Sequence, residues 1–167
     1  LDMFKPWFAA VNLVMARLAQ AGISGKQGVE PFIAATAHRL NQKSVALETV
    51  DYQFAQFDSL RPDLQKRYLM EAVDNLDALE SELGKIIAAW SAGQAEELAA
   101  LVNDDTDDPE FAQALLYPRN KAWADWIKAR MDRPGIVFIA VGAGHLAGQG
   151  SVQQELAARG MASLRVQ

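Results

Sequence analysis

The 167-residue chain has no cysteine. Disulfides, thiolate metal sites and cysteine nucleophiles are therefore excluded. Positive charge is also short: 16 lysines and arginines face 21 acidic residues, for a formal net charge of −5. Without a basic stripe to neutralise phosphates, a nucleic-acid partner is disfavoured. No apolar run approaches the roughly 18 residues that a membrane span needs. Histidine occurs only twice, at His38 and His145. The chain opens Leu1-Asp2-Met3-Phe4, with no initiator methionine or signal sequence, and is expected to be a mature form or part of something longer.

What is present suits a single globular domain over residues 1–167, half hydrophobic and 22% charged. Its chemistry concentrates where a six-residue apolar run, Ile136-Val137-Phe138-Ile139-Ala140-Val141, ends in Gly142-Ala143-Gly144-His145-Leu146-Ala147-Gly148. The run is too short for a helix and rich in β-branched residues, which predicts a strand buried on both faces. A strand ending in a glycine-rich turn with a polar tip is where open α/β sheets place ligands. Gly142 and Gly144 allow close approach. His145 is the one side chain of the turn able to bind a metal or move a proton near neutral pH. The plainer alternative is a left-handed turn whose histidine only packs.

Elsewhere the pattern is mainly helical. Pro6 opens a first helix that stops at Ala21-Gly22, and Pro31 opens a second. A third runs through Phe54 and Phe57. Leu69, Val73, Leu76, Leu79 and Leu83 form an apolar stripe, residues 95–102 make another helix, and one more surrounds Trp123, Trp126 and Ile127. Residues 43–48 look like a short strand ending at Glu48. Residues 152–158 read as a helix and 162–166 as a closing strand, which with 136–141 predicts a βαβ unit. The expected fold is helix-rich α/β: a few-stranded sheet, a C-terminal βαβ unit and a large helical insertion at residues 60–118.

Three polar positions fall at element ends: Glu48, Arg119 and His145. A carboxylate and an imidazole at neighbouring strand ends could share a metal or exchange a proton. An arginine could hold a carboxylate or stabilise an oxyanion. Taken one by one, they also read as a glutamate facing water, a helix-start cap and a packed histidine. The acidic loop at Asp104, Asp105, Asp107 and Asp108 lacks the central glycine and terminal glutamate of a calcium loop, so it reads as solvated and helix-capping. Trp123 and Trp126, three apart, read as a core stripe. His38 reads as a helix-surface or packing residue.

The segment "FIAVGAGHLAGQG", followed by a helix and Gly160, resembles the C-terminal signature of the TraB/GumN family, which includes the Tiki proteases. "KPWFAA", "GVEPFI", "VALETVDYQ" and "YPRNKAWADWI" resemble further family elements in the same order. The resemblance implies a metal-dependent hydrolase acting on a peptide or small-molecule substrate, best argued as a peptidase for the Tiki branch. Carried over, Gly142-Ala143-Gly144-His145 holds the second of two Gly-x-x-His motifs. Glu48 matches the central glutamate and Arg119 the arginine, with catalytic roles. His145, Glu48 and, more weakly, Glu30 are the implied ligands of a divalent metal. The first Gly-x-x-His motif is absent, and His38 has no glycine three residues before it. The chain is thus expected to be the C-terminal part of a longer protein, inactive by itself, whose parent fits a cell-envelope or extracytoplasmic setting. The rival expectation is a non-catalytic regulatory or partner-binding domain that retains the fold.

Overall fold

The structure, a computed structural model, describes residues 4–103, 109–146 and 148–166. It divides into two compact units, Leu1–Glu80 and Ser81–Gln167. Among the described residues, no helix is long and apolar enough to cross a membrane.

The first unit contains α1 (Pro6–Gln20), α2 (Val29–Arg39), α3 (Val50–Asp58) and α4 (Pro62–Asp74). Proline in the first turn starts both α1 and α4, where its missing N–H costs nothing. Thr49 caps α3 by accepting from the Tyr52 N–H at 3.1 Å. α1 packs against α4, with Trp7, Ala9 and Ala10 of α1 and Leu64 of α4 buried, and Leu60 buried just before α4. The Trp7 ring stacks on Phe57 at 5.3 Å and meets Phe54 at 5.8 Å. Its indole N–H donates to Asp58 at 2.8 Å, and Lys5 pairs with the same carboxylate at 2.8 Å.

The helix α5 (Leu79–Ser91) crosses from one unit into the next, and Gly93 ends its last turn with φ +68°. The second unit continues with α6 (Ala95–Asn103), α7 (Pro109–Phe111), α8 (Tyr117–Met131) and α9 (Val152–Ala158). A π turn, Ala112–Leu116, joins α7 to α8. Asn120, Trp123, Ala124 and Ile127 are buried at helical spacing along α8. Ser151 caps α9, and Arg159 at its end bonds to Asp125 and Glu155, tying α9 to α8. The acidic loop read as helix-capping lies outside the described residues.

The expected sheet is not there. Among the described residues no strand occurs, so the α/β class, the few-stranded sheet and the βαβ unit are all corrected to an all-helical arrangement. Residues 43–48, 136–141 and 162–166 carry no regular secondary structure. Burial along 136–141 still alternates with period two: Val137, Ile139 and Val141 are half-buried, whereas Ile136 is fully exposed and Phe138 is 76% exposed. The run is therefore not buried on both faces. β-Propensity measures how well side chains fit a paired, half-buried surface rather than a preference of the lone backbone. A β-branched run with no paired neighbour gains nothing from that propensity.

Candidate functional site

The glycine turn does organise a polar cluster, within the second unit. Ala143–His145 forms one turn of 3₁₀ helix, closed by the His145 N–H donating to Gly142 at 3.0 Å. This turn lies against α6. His145 is buried, and its Nδ1 lies 2.6 Å from Asn120 Oδ1. Asn120 is 1% exposed and its Nδ2 donates to the Gly150 carbonyl at 2.8 Å. Gly150 in turn donates its N–H to Gln154 Oε1 at 2.9 Å. Gly150 has φ +67°, and a Cβ there would sit 2.5 Å from the Tyr117 ring. Only glycine suits that backbone and that contact.

A second set of contacts reaches His145 through an aromatic ring. Trp123 is buried one turn along α8 from Arg119 and Asn120, with its ring 4.5 Å from that of His145. The Arg119 guanidinium lies over Trp123 at 5.1 Å from the ring centre, within cation–π range. Arg119 Nη1 also donates to the Leu115 carbonyl at 3.3 Å. Leu115 lies in the π turn, whose widened backbone loosens the regular hydrogen-bond ladder just before the arginine. The Trp123 indole N–H is buried and has no hydrogen-bond partner among the described residues. Arginine, tryptophan and histidine thus form a short stack, with asparagine holding the histidine from its other side.

Of the expected site residues, Arg119 and His145 belong to this stack, whereas Glu30 and Glu48 belong to the first unit. Glu30 is exposed in the first turn of α2, where a carboxylate complements the positive end of the helix dipole. Glu48 is half-buried in the bend before α3 and ends no strand. His38 is exposed in the last turn of α2, on the helix surface. Trp123 is core, as its spacing suggested, but it also faces the histidine. Sequence reasoning misses Asn120. Its place next to Arg119, one turn before Trp123, is the available signal.

Comparison with known proteins bears on the whole chain. The sequence profile of the TraB/PrgY/gumN family matches residues 1–163. The uncharacterized protein YbaP of Escherichia coli (strain K12) is 27% identical over 154 residues, which cover 90% of this chain and 55% of YbaP. YbaP of Shigella flexneri matches with the same identity and coverage. The chain spans about half the length of these curated relatives. No solved structure matches.

Proposed function

The chain belongs to the TraB/PrgY/gumN family, and on that premise we propose that it is the C-terminal part of a metal-dependent hydrolase, a peptidase in its full-length form. One observation carries this reading: a buried histidine, held by Asn120, shares a stack with an arginine. Hydrolysis of an amide on a metal needs ligands for it, one of which a neutral imidazole provides near physiological pH. It also needs donors where negative charge develops, which a guanidinium provides. The Arg119 guanidinium lies over the flat face of Trp123, and its Nη1 donates to the Leu115 carbonyl.

A catalytic divalent metal typically takes three protein ligands and one open position. Among the described residues no group of three histidine or carboxylate side chains is gathered in that way. Those residues do not by themselves fit a complete metal centre. The remaining ligands would come from the longer parent. The chain's own contribution would be one metal ligand, His145, and a cation, Arg119, for a substrate carboxylate or a developing oxyanion.

Calorimetric titration of the full-length parent with zinc or manganese, beside a peptide-hydrolysis assay, tests this. His145→Ala is expected to weaken metal binding at least tenfold, about the low end of losses seen when metal-site residues are removed. Unchanged affinity in His145→Ala ends the metal reading. A second reading, a non-catalytic partner-binding domain, draws on the exposed apolar side chains of Ile136, Phe138, Leu164 and Val166 in the second unit. A parent that neither binds metal nor cleaves peptides would favour it.

A further inference from the structure

We infer that Asn120 is a positioning residue that fixes a ring proton of His145 on Nδ1. The chemistry begins at the amide. Asn120 Nδ2 donates to the Gly150 carbonyl at 2.8 Å, which turns Oδ1 toward His145 Nδ1 at 2.6 Å. An amide oxygen can only accept, so the nitrogen facing it carries the hydrogen. A neutral imidazole has one ring proton, which this contact places on Nδ1.

Reversing either group is unfavourable. A flipped Asn120 amide sets its oxygen against the Gly150 carbonyl oxygen, with no hydrogen between them. An imidazole turned over on its own axis sets a carbon against Oδ1 and loses the bond. The Gly150 carbonyl is itself fixed, because the residue's N–H is held by Gln154 and the Tyr117 ring closes the space beside its Cα. Asn120 is 1% exposed, so water does not compete for its amide.

A ring fixed in this way keeps one orientation toward whatever is bound beside it, as when a second residue orients a catalytic or metal-ligating imidazole. What is bound there rests on the reading proposed above. The place of the proton on the ring does not.

Nitrogen-15 labelling of histidine and long-range proton–nitrogen correlation at about pH 8, above the usual imidazole range, read the tautomer directly. In a His38→Gln background the remaining ring signals are those of His145. The expected pattern has the proton on Nδ1. Asn120→Asp, which keeps an acceptor at that place, retains it. Asn120→Leu moves the tautomer ratio toward Nε2–H by roughly tenfold, the scale of one lost hydrogen bond. An Nε2–H pattern in the protein with Asn120 intact overturns the inference, as does an unchanged ratio in folded Asn120→Leu or loss of the pattern in Asn120→Asp. Should Asn120→Leu fail to fold, the spectra of the Asn120-intact protein and of Asn120→Asp decide. An Nδ1–H pattern in a parent that neither binds metal nor hydrolyses peptides ends the functional reading and leaves this one standing.

Discussion

In the first unit the buried polar side chain Gln65 bonds to the Leu60 carbonyl, five residues back. In the second, Asn120 reaches His145 and Gly150, 25 and 30 residues away. The two buried tryptophans divide in the same way. Trp7 lies among Phe8, Phe54 and Phe57, with its N–H satisfied by Asp58. Trp123 lies between Arg119 and His145, with its N–H unpartnered among the described residues. A local bond such as that of Gln65 closes a turn between helices and forms with it. A long-range polar bond forms only after much more chain has been ordered. Buried polar networks of that kind are conspicuous where the orientation of a side chain matters.

Substitutions can undo this contrast. The largest effect is expected at Trp7→Ala, which removes the centre of the aromatic cluster and should cost about 4 kcal/mol of stability in a urea titration. A loss below about 1 kcal/mol would mean that this cluster does not hold the first unit together. Next comes Gly150→Ala, at roughly 3 kcal/mol, from a left-handed backbone and a collision with Tyr117. The double variant with Tyr117→Ala should recover part of that loss, and strict additivity would show that the collision is not its source.

The pair Asn120→Leu and Gln65→Leu puts the two units side by side. Asn120→Leu strands the Nδ1–H of His145 and the Gly150 carbonyl and should cost about 2 kcal/mol, whereas Gln65→Leu strands one carbonyl and should cost about 1 kcal/mol. Equal losses would erase the distinction between local and long-range polar burial.

The smallest effect is electrostatic. Hydrogen bonds from Lys5 and then from the Trp7 indole hold the Asp58 carboxyl below its ordinary value. A depressed carboxyl stabilises the fold above its unfolded value and loses that contribution as pH falls through the folded one. Asp58→Asn should therefore differ from the parent most at neutral pH and converge with it in acid. A gap in urea midpoint that widens on acidification would contradict this sign.

Helices were the legible part of this chain, because proline starts, glycine stops and apolar spacing act over a few residues. Pro6 and Ala21-Gly22 bound the first helix where the structure has it, whereas the second begins at Val29, two residues before the expected Pro31. Arg119 and His145 were legible as chemistry, since few residue types take part in proton transfer or oxyanion binding. Strands were misread at residues 136–141. Apolar β-branched composition says that a segment suits a sheet, and it cannot say that another strand lies beside it.

Composition and local pattern were thus enough for the helical content, the exclusion of thiol chemistry and the glycine turn that carries His145. Tertiary structure was needed to show that this turn follows an unpaired run, and that Asn120 and Trp123 are the neighbours of the histidine. The reason is distance along the chain. Helical signals are read within a turn or two, whereas the Asn120–His145 and Asn120–Gly150 bonds join residues 25 and 30 apart and depend on where α8 places its buried face.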